Sequence, residues 1–433
     1  MSAPPPDASQ PIWSSRLTFI MASVGFAVGL GNIWRFPYIV GENGGSAFIL
    51  IYLAFAVLIG VPLVMAEWTI GRRAHDAASA SGSFRGVARQ SGASTKWGNV
   101  GGIAVLAVFM LMLFYTTIAG WTMDYFVRAA SGAFHGITSE ASALAYDDLM
   151  SSPLRLVFWH TVVVVLTVYI NSRGLHGGIE KAVNFLMPAL FASLVLMVAY
   201  AAVVGDMRAA ADFLLSPDFS RVNGETLLIA LGQAFLSIGI AMAVMITYGS
   251  YLDNSTSIPQ NAFIVVGADT LVAMMAGFAI FPLVFQHGMA PNAGEGLVFQ
   301  TLPVAFGDLP AGSLFASIFF FLLIAAAVVI PGATARLVSR SIGAMLAVST
   351  GLGVVAAVVG LYVSFYLDVP SGPSIVLTGA SVFAVVALGS AVVSRRALGA
   401  ARRSSPPSDP AGPDGSGLGG GDDGQVPLGA RRR

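Results

Sequence analysis

Residues 25–37, Gly-Phe-Ala-Val-Gly-Leu-Gly-Asn-Ile-Trp-Arg-Phe-Pro, interrupt an apolar run with three glycines, an asparagine, an arginine and a proline. A helix that only had to span a bilayer would avoid all of them. Gly costs about 1 kcal/mol and interior Pro about 3 kcal/mol in a helix. A central Arg adds roughly 2.5–3.5 kcal/mol on insertion scales. Interrupted backbone is tolerated at bilayer depth only where it is buried in protein or lines a cavity. The stretch therefore predicts a broken helix that builds a site; the alternative is a kinked span whose Arg snorkels to the interface.

Composition agrees with a membrane setting. Of 433 residues, 56% are hydrophobic and 10% charged, with a mean hydropathy of +0.78. Soluble domains carry about 25% charged residues. The formal net charge of zero argues against nucleic acid as a partner. Without cysteine there is no disulfide framework, thiolate metal site or cysteine nucleophile. No nucleophile–base pair or phosphate loop points to an enzyme, and nothing points to a bound cofactor. Residues 1–11 are polar and proline-rich. They read as a disordered cytoplasmic N-terminus rather than a signal peptide, leaving the first apolar helix to direct insertion.

At about 20 apolar residues per crossing, the chain is an all-α polytopic membrane protein of about ten helices. They fall near 17–39, 46–71, 98–128, 155–172, 180–204, 227–250, 261–287, 312–335, 342–365 and 374–394. Basic residues cluster after helix 2 (Arg72, Arg73, Arg85, Arg89, Lys96), helix 4 (Arg173, Lys181), helix 8 (Arg336, Arg340) and helix 10 (Arg395, Arg396). The positive-inside rule then puts both termini on the cytoplasmic side of the inner (plasma) membrane. Residues 399–433 hold too little apolar surface to repay ordering and read as a disordered cytoplasmic tail.

Helix 6 repeats the pattern of helix 1. Gly232-Gln233-Ala234-Phe235-Leu236-Ser237-Ile238-Gly239 reaches a polar, glycine-bearing midpoint before the apolar run resumes. Half-helix N-termini present free N–H groups suited to a carboxylate, and unwound carbonyls suit a hard cation.

The 25–37 string, with Glu42-Asn43-Gly44-Gly45, Tyr52, Pro62, Glu67-Trp68 and Gly71-Arg72, resembles the sodium:neurotransmitter symporter family over about residues 12–323. The resemblance implies an inverted-repeat (5+5) fold with broken helices 1 and 6. Paired interruptions in two halves mark a transporter's site, a rule for which the family's own leucine transporter is the model case.

What the resemblance implies about residues is specific. A first sodium ion would sit among the Ala27 carbonyl, Asn32, Ser237 and Asp269, completed by the substrate's carboxylate. The amides of Leu30 and Gly31 and the hydroxyl of Tyr115 would hold that carboxylate; read alone, Tyr115 is a core aromatic. Monoamine carriers of the family place an aspartate where this chain has Gly29, so the ligand should be an amino acid. Phe26, Leu236, Gly239 and Met242 would meet its side chain, favouring a large apolar or aromatic one. Chloride-dependent members carry Asn and Ser where this chain has Asp269 and Ala273, so chloride dependence is not expected. Arg35 belongs to the extracellular gate and Trp13 to the cytoplasmic one, with Tyr251 a further gating residue.

Towards the C-terminus the pattern departs. Val329-Ile330 stands where the family places a hydroxyl pair of the second sodium site, leaving carbonyls of Gly25, Val28 and about Ala326. The helix 10 acid expected for Arg35 is not found. Ile330-Pro331-Gly332 and Gly360-Leu361-Tyr362 to Gly372 resemble the C-terminal end of a manganese/zinc ABC-transporter permease, over 324–398. A chimera with atypical C-terminal helices is the resulting expectation, against one divergent symporter.

The function implied is sodium-dependent amino-acid symport by alternating access, with the second sodium site and the gates compromised. The alternatives are a permease subunit of a metal ABC transporter and a fusion relic that binds without transporting. The permease reading is the weaker. Lys96 and Lys181 are the only lysines and neither lies in a phosphate loop.

Overall fold

A computed structural model describes residues 15–74, 79–173, 180–292 and 296–334, with Trp13, Gly178 and isolated positions between 359 and 378. Among the described residues there is no strand, and the first eight predicted spans are all helical. Helix 1 is split into Arg16–Ala27 and a second half, Gly31–Glu42, whose axes meet at 48°. Helix 2 is Ser46–Arg73, helix 3 Gly98–Ala130, helix 4 Pro153–Ser172 and helix 5 Glu180–Val204. Helix 6 is split into Gly224–Ile238 and Val244–Ser250; helix 7 is Ile258–Gln286 and helix 8 Gly312–Thr334.

π turns interrupt this pattern at Gly31–Arg35, Ala56–Gly60 and Leu297–Thr301. Each runs straight into a helix whose second residue is proline, namely Pro37, Pro62 and Pro303. Proline has no N–H to give, and its ring collides with the carbonyl four residues back. One extra residue in the preceding turn lets the helix continue past that collision.

The connections hold helices absent from the span count: Ala80–Gln90, Ser139–Met150, Met207–Leu215 and Leu302–Gly307. They are too short to span, and the first three start on side-chain caps. Ser79 accepts from the N–H of Gly82, Thr138 from that of Ala141, and Asp206 from that of Ala209.

Helix 2 lies directly against the second half of helix 6. Gly249 comes so close to Trp68 that a methyl there would stand 2.6 Å from the Trp68 carbonyl, and one at Gly71 would fall on the Ile246 carbonyl oxygen. Helix 8 packs on helices 3 and 5. On it, Phe320 meets Tyr125 of helix 3 at 5.3 Å and Phe299 at 6.3 Å. Its buried face runs from Phe319 through Ala325, Ala326 and Ala327 without a break. Among the described residues, burial continues past 324 as far as Ala327. The predicted helices 9 and 10, the segment 340–398 (isolated positions aside), the tail 399–433 and residues 1–11 lie outside the described residues.

Candidate functional site

The two helix breaks face each other. In helix 1 the chain leaves helical geometry at Val28 (φ −75°, ψ 83°), and the N–H of Gly29 donates to the Ala27 carbonyl at 2.9 Å. Leu30 and Gly31 then open the second half, where N–H groups have no intrahelical acceptor. In helix 6 three residues are left-handed: Gly239 (φ 75°), Ala241 (φ 64°) and Ala243 (φ 63°). Side chains at such angles store of order 1–3 kcal/mol each and persist only where surroundings enforce them. One enforcing contact is explicit: the N–H of Ala241 donates to Oε1 of Glu67 at 2.7 Å. Helix 2 thus supplies the acceptor that the missing turn of helix 6 would have given. Glu67→Leu strands this N–H, and we expect a loss of about 1–3 kcal/mol, read as a lower unfolding midpoint in detergent. Glu67→Gln keeps an acceptor and should stay near wild type.

Between the breaks lies a polar cluster with no exposed member. The Asn32 amide donates to Oδ1 of Asp269 at 2.7 Å and to its main-chain oxygen at 2.9 Å. The Ser237 hydroxyl lies 2.7 Å from Oδ2 of Asp269 and 3.1 Å from Oδ1 of Asn32. Tyr52 donates to Oδ2 of Asp269 at 3.2 Å and stands 3.3 Å from Ser237. Asn32, Tyr52 and Asp269 are 0% exposed and Ser237 2%. All three hydrogen-bond partners of the carboxylate are neutral, and no ion pair among the described residues includes Asp269. A buried charge is costly unless it is paired or meets a metal ion. Hard oxygen donors without sulfur or imidazole suit an alkali or alkaline-earth cation.

Beside the cluster lies a small, nearly filled cavity of ≈ 10 Å³, lined by residues of helices 1, 3 and 6, among them Phe26, Gly29, Gly31, Tyr115, Leu236 and Met242. Its lining holds no charged side chain, and the Tyr115 hydroxyl would lie 3.3 Å from a methyl placed on Gly31. Most of the expected substrate residues line it. Leu30 and Ser237 do not, the first buried behind the break and the second turned into the polar cluster. Leu111 is an addition.

Arg35 and Trp13 each have defined partners. Arg35 bonds to the Gln233 side-chain oxygen, and the Gln233 amide donates to the Gly31 carbonyl at 3.1 Å. At the other end, the Trp13 indole donates to the Tyr248 carbonyl at 3.3 Å and packs edge-on against Tyr248 and Tyr251. Gly25 and Val28 are buried at the end of the first half of helix 1, which also packs on helix 8. The side chains of Val329 and Ile330 lie outside the described residues.

Tyr52, Gln233 and Glu67 join the site without having been expected there. A polar group inside an apolar span is a functional candidate on that ground alone, and Gln233 lies one turn before Ser237.

The model of the sodium:neurotransmitter symporter family matches residues 10–136 and 147–339. That match runs past residue 324 to 339 and so takes in helix 8. The uncharacterized sodium-dependent transporter YhdH of Bacillus subtilis is 38% identical over 303 residues, covering 70% of this chain and 66% of that relative. An uncharacterized sodium-dependent transporter of Haemophilus influenzae is 35% identical over 354 residues, covering 81% and 78%. The chain therefore spans just under two thirds of the first relative's length. The crystal structure of MhsT in complex with L-phenylalanine superposes with a TM-score of 0.70 at 35% identity, covering 87% of this chain and 79% of that one.

Proposed function

The chain belongs to the sodium:neurotransmitter symporter family, and on that premise we propose that it is a sodium-coupled carrier of an apolar or aromatic amino acid. The observation that carries this reading is the buried Asp269 carboxylate, held among the described residues by the neutral Asn32, Ser237 and Tyr52, beside a cavity without a charged side chain. In this proposal a sodium ion takes oxygen donors from Asp269, Asn32, Ser237 and the Ala27 carbonyl. The substrate's carboxylate then completes the shell, so that ion and substrate stabilise each other directly.

With Gly29 at the cavity wall, nothing there answers a lone ammonium group, and the ligand supplies its own carboxylate. The N–H groups opening the second half of helix 1 and the Tyr115 hydroxyl receive it. Phe26, Leu111, Leu236 and Met242 meet the side chain; the thioether of Met242 adapts to irregular shapes. The phenylalanine bound by MhsT supports this class. Val329 and Ile330 offer no side-chain oxygen, so the proposal includes one side-chain sodium shell. Arg35 with Gln233 closes the outer side of the site; Trp13 with Tyr248 and Tyr251 closes the inner, cytoplasmic side, where both termini lie.

The test is equilibrium binding of labelled Leu, Phe, Tyr and Trp to purified protein in sodium and in potassium. Binding in sodium only is expected, and equal binding in both salts sinks the reading. Uptake into vesicles should also survive replacement of chloride by gluconate, because Asp269 already places a negative charge beside the ion. Uptake that collapses in gluconate removes that role from Asp269.

A further inference from the structure

On the outer side of the bundle, away from the candidate site, helices 4, 5 and 8 enclose a cavity of ≈ 510 Å³. That is within the range of sites that hold small ligands, about 300–1,000 Å³. Its walls are apolar: Leu166 and Ile170 from helix 4, Phe185 from helix 5, Phe321 and Ile324 from helix 8. Phe185 is 70% exposed, so the slot opens sideways where lipid would lie. Both of its charged lining residues are basic, Arg173 after helix 4 and Lys181 in the first turn of helix 5.

Arg173 is held in place. Its guanidinium lies 4.9 Å from the centre of the Tyr169 ring and donates to the Tyr169 hydroxyl at 2.8 Å. That uses one of five N–H donors and leaves a fork for a phosphate oxygen. Neither Arg173 nor Lys181 takes part in an ion pair among the described residues. In sequence the segment 171–181 carries a single acid, Glu180, and so retains a net positive charge.

We propose that this slot binds an anionic phospholipid, its headgroup phosphate on Arg173 and Lys181 and an acyl chain between helices 4, 5 and 8. The apolar depth excludes a free phosphate as the intended ligand, and the paired cations disfavour a zwitterionic lipid. Basic pockets between membrane helices on the cytoplasmic side recognise anionic headgroups in this way.

The experiment uses the full chain in phosphatidylcholine vesicles doped with phosphatidylglycerol carrying a photoactivatable mid-chain group, with crosslinks mapped by mass spectrometry. Crosslinks are expected on residues 166–186 and 321–325. Labelling should fall about fivefold for each of Arg173→Gln and Lys181→Gln, as expected for one surface cation each. The charge-preserving pair Arg173→Lys and Lys181→Arg should retain most of it. Soluble glycerol phosphate should not compete. Equal labelling by a phosphatidylcholine probe, no labelling of the slot, or unchanged labelling after removing both cations overturns the proposal. Competition by glycerol phosphate alone also overturns it, in favour of a simple anion site. The wild-type comparison of the two lipid probes decides the matter even if a variant fails to fold.

Discussion

Asp269→Ala is expected to abolish sodium-dependent substrate binding. Asp269 supplies the one carboxylate among Asn32, Ser237, Tyr52 and itself. A unit charge pair near 4 Å at an effective dielectric of 20 is worth about 4 kcal/mol, close to a thousandfold in affinity. The alanine variant also removes the acceptor shared by Asn32, Ser237 and Tyr52, leaving Asn32 the main-chain oxygen of residue 269 and Ser237 the Asn32 oxygen. Asp269→Asn is the milder variant, because it keeps the shape and one acceptor while removing the charge and turning the other acceptor into a donor. Both variants should lose the difference between sodium and potassium in equilibrium binding. Retention of wild-type sodium affinity by Asp269→Asn removes Asp269 from the ion shell.

The second large effect is expected at Gly239. Its φ of 75° lies in the left-handed region, and a methyl on it would fall on the Phe26 ring. Gly239→Ala therefore meets two costs: about 1–2 kcal/mol of backbone strain and about 1–3 kcal/mol from forcing a packed ring aside. Phe26 lines the cavity, so the second cost is read out in ligand binding as well as in stability. Gly232→Ala, in the same helix with nothing within 4 Å of the added methyl, is the control. It should be neutral or stabilising by up to about 1 kcal/mol. Substrate affinity measured on the two variants should fall more than tenfold for Gly239→Ala and stay unchanged for Gly232→Ala. Equal behaviour of the two would mean that the helix 6 break tolerates a side chain where Phe26 packs.

The helix breaks were legible because they violate a simple rule. Glycine, proline and polar residues have no reason to interrupt apolar runs unless the interruption is used, and both interruptions appear where expected. The meeting of Asn32 with Ser237 and Asp269 followed from resemblance rather than from spacing, since 237 residues separate Asn32 from Asp269. Tyr52 was not legible as a cluster member. Only the packing of helix 2 on helix 6 decides where its hydroxyl ends, and no local pattern encodes that. Glu67 was hidden for the same reason, its partner being a backbone N–H rather than another side chain. The π turns, by contrast, carried a signal that went unused, a proline shortly inside each resumed helix. The missing hydroxyl pair at Val329-Ile330 is a local departure, and it lies inside a family match that runs to 339.

Gln233 and Ser237 stand four residues apart on the first half of helix 6, and so on one face of it. One holds Arg35 and the other lies against Asp269. Thermodynamic linkage between sites is reciprocal. Whatever factor an ion at Asp269 adds to the closed position of Arg35, the closed arginine adds to ion affinity. If Arg35 and Asp269 act as proposed, an outer gate and an ion shell share a single helical turn, and a substitution that loosens Arg35 is expected to shift the sodium concentration at which the carrier loads.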